Sequence, residues 1–441
     1  MSTGARPMTR RSAIAITAAT AITLCAAMPV LRADEATRLR VEGRANAFPS
    51  MAADRSLLVL AWGATSPEGL ADVYLAVSRD AGRSFGDPVR VNDRPGTARV
   101  GGELPPRVAL VASDDEPVIV VTWGAKSGTT DIRVSTSTDG GRSFGASLAL
   151  NTSGVSGDRG WHATTVDRSG TVHAMWLDHR ALAARPRTDH ARHGDGTDMA
   201  RFSNLYYSAI RPPLAPAAAV AQGSGSAERA LTESVCYCCK TALATGPDGA
   251  IYAAWRHVYP GNIRDIAFTV SRDAGKTFSS PTRVSLDNWQ LAGCPDDGPA
   301  MAVGSDGTVH LVWPTVVRED IDGTQRTRGA VFYASTRDGR QFSSRIEVPT
   351  LGSLKPSHPQ IASDEAGGFV VGWDEVRDAV RRAYVRTLRF NSARHPQFGD
   401  AIALDEQGSA YPVVASTTRG VFVAWTQGVG QASEIRVKRL D

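Results

Sequence analysis

The sequence carries almost no excess of either charge. Its 441 residues hold 49 Lys plus Arg against 45 Asp plus Glu. Four of the basic residues, Arg6, Arg10, Arg11 and Arg32, lie in the first 33 positions, where no acid occurs, and the remainder balances at 45 against 45. A neutral body gives no electrostatic case for nucleic acid or an anionic membrane surface as partner. Long apolar runs are also missing: beyond the N-terminal segment no stretch approaches the ~18 residues of a membrane span. Cysteine is scarce, five residues in all, of which only Cys236, Cys238, Cys239 and Cys294 lie beyond position 33. At 42% hydrophobic and 21% charged residues, with 42 Gly and 24 Pro, the composition excludes disorder, collagen and a coiled coil.

What is present begins with an address. Residues 8–33 read MTRRSAIAITAATAITLCAAMPVLRA, a basic patch, an apolar run and small residues, which predicts a secretory signal. Arg10–Arg11, between Thr9 and Ser12, resembles a twin-arginine signal, which would export an already folded chain. Cleavage is expected after Ala33 or Ala27. Leu24 precedes Cys25 where a lipoprotein signal needs a small residue, so no lipid anchor is expected. The mature chain, 34–441, is expected in a periplasm or outside the cell.

Tryptophan reveals the architecture. Trp62, Trp123, Trp176, Trp255, Trp313, Trp373 and Trp425 each close a short apolar strand: LLVLAW, PVIVVTW, TVHAMW, AIYAAW, TVHLVW, GFVVGW and GVFVAW. Their intervals are 61, 53, 79, 58, 60 and 52 residues. A period near 60 with several short strands per repeat predicts an all-β propeller, because no single unit can bury its own sheet faces. Each unit reads as an inner strand (HPQIAS, 358–363; YPVVAS, 411–416), the tryptophan strand, a third strand (DVYLAVS, 72–78) and an outer strand (PVRVN, 88–92). The seventh unit stops after EIRVKRL (434–440), and TRLRVEG (37–43) is expected to supply its fourth strand, closing the ring. Seven blades are expected, with six as the alternative if the third unit is irregular.

The turn after the third strand repeats as SRDAGRSF (78–85), STDGGRSF (137–144) and SRDAGKTF (271–278), with STRDGRQF (335–342) as a fourth copy in which Arg337 aligns with the aspartates. Asp80, Asp139 and Asp273 are expected to accept backbone N–H bonds within their turns. These are Asp-boxes, S-x-D-x-G-x-[ST]-F, and the chain resembles the sialidase-like, Asp-box (BNR repeat) propeller superfamily over essentially its mature length. The resemblance implies the fold, with the Asp-box turns on the face opposite the active site. It does not imply sialidase chemistry: the first inner strand reads AFPSMAA (47–53), without the arginine and isoleucine of the sialidase F/Y-R-I-P motif.

By the repeat alignment, segments leading into inner strands and loops leaving tryptophan strands share one rim. That rule gathers His162, the run Cys236-Tyr237-Cys238-Cys239-Lys240, Cys294-Pro295-Asp296-Asp297, His358, Tyr411, Asp178-His179, Arg256-His257 and Asp374-Glu375. Besides redox or other thiol chemistry, the cysteines are open to two readings. One is structural disulfides stapling units four and five, as suits an exported protein; pairing all four looks awkward, because neighbouring cysteines rarely bridge each other. The other is a soft-metal site for Cu or Zn, with Cys236, Cys238, Cys239 and Cys294 as thiolates and His162, His179, His257 or His358 as co-ligands. His173 and His310, inside tryptophan strands, are expected to be packing histidines. An insertion at 177–204, carrying His190 and His193, and a Pro/Ala/Gly/Ser-rich one at 211–234 flank this region.

The primary expectation is a ligand- or metal-binding propeller. A glycoside hydrolase is the alternative: Asp178, Asp374, Asp296 or Asp297 would supply a carboxylate pair, Arg107, Arg256 and Arg318 would hold an anionic sugar, and Trp161 and Tyr411 would line the site. A protein-binding scaffold is the third. The partner is accordingly a small molecule, glycan or metal, or a protein.

Overall fold

The computed structural model describes residues 1–4, 36–113, 116–127, 129–184, 196–211, 227–352, 355–364, 366–405 and 407–440. The expected signal segment falls almost wholly outside these residues, as do His190, His193 and most of the 211–234 insertion. The chain divides into Met1–Glu35 and Ala36–Asp441, and everything below concerns the second unit.

Seven antiparallel sheets form the seven blades of a propeller. Blade 1 comprises Ala45–Asp54, Leu57–Thr65, Ala71–Ser78 and Val89–Arg90. The inner strands of blades 2 to 7 are Arg107–Val111, Arg159–Val166, Ala242–Thr245, Ala300–Val303, Ser357–Ser363 and Ser409–Thr417. In blade 3 the outer strand is Arg229–Thr232, so the end of the 211–234 insertion belongs to the sheet. Thr37–Leu39 pairs antiparallel with Glu434–Arg439, Thr37 opposite Val437. The N-terminal strand therefore closes blade 7, as the truncated last repeat requires, and the six-bladed alternative is excluded.

The seven repeat tryptophans are at most 1% exposed and fill the blade-to-blade cores. Polar handles fix several of the rings: Trp62 Nε1 donates to Asn46 (2.9 Å) and Trp313 Nε1 to Asp287 (2.7 Å). His173 and His310 are buried as expected, each bonded through Nδ1 to a tyrosine hydroxyl, Tyr207 (2.6 Å) and Tyr333 (2.8 Å).

The repeat turns are self-contained hydrogen-bond cages. Asp139 accepts from Ser137 Oγ (2.7 Å), Arg142 N (3.0 Å), Ser143 N (3.0 Å) and Ser143 Oγ (2.6 Å). Partial burial opposes its charge, but these donors outweigh it and hold the carboxyl down at about 2. Asp80 and Asp273 sit in equivalent cages. The fourth copy corrects the sequence alignment. Asp338 takes the aspartate's role, accepting from Thr336 Oγ1 (3.2 Å), Arg340 N (2.8 Å) and Gln341 N (2.9 Å). The turn has lost one residue, and Arg337 is not a replacement for the aspartate.

Asp139→Ala, which strands several N–H groups, is expected to lower stability by about 1 kcal/mol at pH 7. A carboxyl held below its ordinary value stabilises above that value and loses the effect as pH falls through about 2. The deficit between wild type and variant should therefore shrink between pH 4 and pH 2 in urea titrations; a constant deficit would contradict the assignment.

Candidate functional site

Inner strands start on one face, and the tryptophan strands, running antiparallel to them, end on the same face. Four inner strands start with a bulge, between Ala47 and Ser50, Gly160 and Ala163, Ser357 and Gln360, and Ala410 and Val413. In each, a bulky residue is held in the left-handed region: Phe48 (φ 62°), Trp161 (54°), His358 (52°) and Tyr411 (55°). A bulge re-aims a side chain, and the proline that follows Phe48, His358 and Tyr411 fixes the next φ. The unpaired bulge N–H groups are taken up by the preceding blade. Phe48 N donates to Thr426 Oγ1 (3.0 Å), His358 N to Asp297 Oδ2 (3.0 Å) and Tyr411 N to Asp374 Oδ2 (2.8 Å). The ring is thus latched from blade to blade at its axial mouth.

The latches are also the chemistry. His358 Nδ1 contacts both oxygens of Asp374 (2.9 and 2.8 Å), and Arg381 Nη1 is bonded to the same carboxylate. Asp374 is fully buried. Burial opposes its ionisation, but His358 and Arg381 outweigh it and hold the carboxyl below its ordinary value. Burial likewise opposes charge on His358, and Asp374, Asp297 and Glu103 overcome it, so the imidazole is raised. The Tyr411 ring packs on His358 (4.3 Å between centroids) and edge-on against Phe48 (4.9 Å); burial pushes its hydroxyl up to about 12.

Below this layer lies a buried charge cluster. Glu103 Oε2 accepts from Lys240 N (2.7 Å), and the Lys240 ammonium stands 3.8 Å from Oε1. Gly298 lets blade 5 press its backbone onto the Lys240 carbonyl, where any Cβ would collide. Glu103 Oε1 and Asp297 Oδ1 are buried without a hydrogen-bond partner among the described residues. Burial raises the Glu103 carboxyl despite Lys240. Asp296, at the exposed edge of the cluster, is raised by partial desolvation and by Asp297. The space is narrow: about 10 Å³ among Phe48, Arg107, Lys240, His358 and Tyr411, with a second space of about 110 Å³ along Arg107, Thr241, Ala300 and Gln360.

All four cysteines are paired. Cys236 bonds Cys239 and Cys238 bonds Cys294, with Cα separations of 5.8 and 6.3 Å. The adjacent Cys238 and Cys239 take different partners, which removes the difficulty expected in pairing all four. Among the described residues the cysteines cluster only with one another and with Asp296 within metal-ligand reach; no histidine joins them. A disulfide sulfur is not a thiolate, so the residues present do not fit a Cu or Zn site. The histidines are placed elsewhere. His162 is buried on Thr122 (3.1 Å), and burial, with Arg107, lowers it to about 3. His179 packs beside Trp161 (5.2 Å) and His257 on Tyr259 (4.6 Å), both lowered by burial to about 4.

The other candidates separate. Asp178 is saturated by Arg159, Arg180 and Trp176 Nε1 (3.2 Å). Arg256 is buried under Trp289 and donates to the carbonyls of Asp297 (3.1 Å), Arg264 (2.7 Å) and Pro314 (2.6 Å). Arg318 is exposed on the long blade-5 hairpin. Of the three arginines, Arg107 alone lines these two spaces, donating to His162 O (3.2 Å), and burial lowers it to about 10. The three arginines do not converge. Trp161 lies under Arg99 (5.1 Å). Glu103, Lys240 and Arg381 are the cluster members that motif reasoning did not assign. Glu103 lies four residues before Arg107, in the lead-in of blade 2, which with that of blade 1 contributes no residue to the rim rule; Lys240 stands at the end of the cysteine run.

No family model matches the chain, and no curated protein matches it. Solved structures with a similar fold include a protein of unknown function from Dyadobacter fermentans (14% identity, 94% of this chain and 100% of that one, TM-score 0.48). A Hadza microbial sialidase (14%, 84% and 74%, TM-score 0.47) and an α-L-arabinofuranosidase from Fusarium graminearum (12%, 84% and 98%, TM-score 0.47) are others. At these identities and scores they assign no role to any residue.

Proposed function

We propose that this chain is an exported propeller of the sialidase-like type whose axial mouth holds one end of a small, uncharged polyhydroxylated ligand of the sugar class. The observation that carries the reading is His358, bonded through its backbone to Asp297 and through its ring to buried Asp374. Around it, ionised and neutral oxygens offer hydrogen bonds to hydroxyls, and Tyr411 and Phe48 offer ring faces to a sugar's apolar side. The space of about 10 Å³ at the mouth has room for about one hydroxyl group, so the ligand lies over the mouth and reaches in by a single group. The scattered arginines argue against a carboxylate-bearing sugar, which needs convergent guanidinium groups. The cysteines act as staples, in keeping with an oxidising compartment.

A second reading, glycoside cleavage, is favoured by the exposure of Asp296 beside buried Asp297 and Asp374, with the Asp296 carboxyl raised and that of Asp374 lowered. Divergent carboxyls of this kind divide into proton donor and anion. The test is calorimetric titration of the mature protein with a panel of neutral mono- and disaccharides. At least one should bind, and His358→Gln should weaken it roughly 10-fold or more. Hydrolysis lost in Asp296→Asn with binding retained would establish the second reading. No saccharide binding at all would overturn the first.

A further inference from the structure

The opposite face carries a larger cavity, about 780 Å³, between blades 5 and 6, within the range of small-molecule sites. Its interior includes His310, Phe369 and Phe390, and its rim Asp306, Arg337 and Arg394.

Blade 3 shows what this place looks like when closed. There the same histidine–tyrosine pair recurs, His173 with Tyr207, and His173 Nε2 is capped by Asp167 (3.1 Å). The next blade's repeat turn then lies on top, with Gly275 pressed onto Tyr207. Other repeat turns seal their neighbours alike: Gly82 on Phe422, Gly141 on Val77 and Gly339 on Phe268.

At blade 5 both closures are missing. The position of Asp167 is occupied by Gly304, whose missing Cβ would stand 3.6 Å from His310 Nε2. Blade 6 has no Asp-box; its turn is Asn391–His395. His310 is 5% exposed, and its Nε2, which lines the cavity, has no protein partner among the described residues. Phe369 and Phe390 pack beside the imidazole, tilted to it, at 4.1 and 5.4 Å between ring centroids. At the rim, a single oxygen of Asp306 serves both Arg337 (2.9 Å) and Arg394 (3.5 Å), which leaves guanidinium donors over for a second anion.

We propose that this cleft is a second ligand site that takes a small aromatic carboxylate. The ring packs on Phe369 and Phe390, a polar ring substituent bonds His310 Nε2, and the carboxylate meets Arg337 and Arg394. The site is separate from the axial mouth and does not depend on what binds there.

The test titrates the mature protein with 4-hydroxybenzoate, with phenol as the uncharged probe, by ligand-observed NMR. Wild type should bind 4-hydroxybenzoate saturably and more tightly than phenol. Gly304→Asp, which installs the blade-3 cap on His310, should weaken both probes at least 10-fold. Arg337→Ala with Arg394→Ala, two exposed substitutions that leave the core alone, should erase the preference for the carboxylate while phenol still binds. His358→Gln at the axial mouth should change neither. No saturable binding of either probe up to about 10 mM, or a preference that survives the double arginine variant, overturns the proposal.

Discussion

Asp374→Ala is expected to destabilise the propeller by about 3–5 kcal/mol and to abolish ligand binding at the axial mouth. The carboxylate is fully buried and answers three groups at once: the His358 ring, Arg381 and the Tyr411 N–H. Its removal takes from the part-buried His358 ring and Arg381 guanidinium the carboxylate they share and unlatches blade 6 from blade 7. Asp374→Asn keeps the acceptor for Tyr411 N and should cost less. The pH dependence follows from two opposite shifts. Asp374, lowered, stabilises above the ordinary carboxylate value and loses that as pH falls. His358, raised, stabilises below its ordinary value near 6.5 and loses that as pH rises through the folded value. Their joint contribution is greatest between roughly pH 4 and 6.5. Denaturant titrations across pH 3–9 should show the wild-type advantage over Asp374→Ala peaking in that window. A gap independent of pH would mean the pair is not ionised as assigned.

Loss of the Cys238–Cys294 bridge should be the other large effect. It closes a loop of 56 residues across the lead-in segments of blades 4 and 5, and chain-entropy arguments assign it about 4 kcal/mol. The Cys236–Cys239 bridge, three residues apart, should contribute roughly half of that or less. A Cys238→Ser, Cys294→Ser variant is expected to melt well below wild type under oxidising conditions. Reductant should bring wild type close to it. Equal melting temperatures with and without reductant, together with four free thiols, would show that the cysteines are not paired.

The fold was legible because seven tryptophans at near-constant spacing report a burial requirement that each blade must meet in the same way. The closing strand was legible because a truncated last repeat leaves an unpaired edge. The fourth repeat turn was misread because deletion of one residue slides Asp338 out of register with a fixed-spacing motif. Of the residues that lie together at the mouth, His358, Tyr411, Asp374 and Asp297 were gathered by the rim rule, and their assembly is a consequence of the bulges. The aromatic-Pro and His-Pro pairs at 48–49, 358–359 and 411–412 mark those bulges in the sequence, although spacing alone does not reveal a left-handed φ. Glu103 sits in an irregular loop before blade 2 and repeats nowhere. Arg256 and Asp178 occupy rim positions in the alignment, but their side chains turn inward to satisfy backbone carbonyls and neighbouring arginines. A linear sequence does not distinguish a charge facing solvent from one bracing the frame.

If the axial mouth is a ligand site organised by His358, the imidazole itself should report it. The most direct measurement is the ¹⁵N resonance of the His358 ring nitrogens, followed against pH with and without the saccharides of the panel. The expected result is an imidazolium that persists above the ordinary histidine value and a resonance that shifts on saturable addition of a neutral sugar. A ring that titrates near 6.5 and does not respond to any saccharide would contradict it.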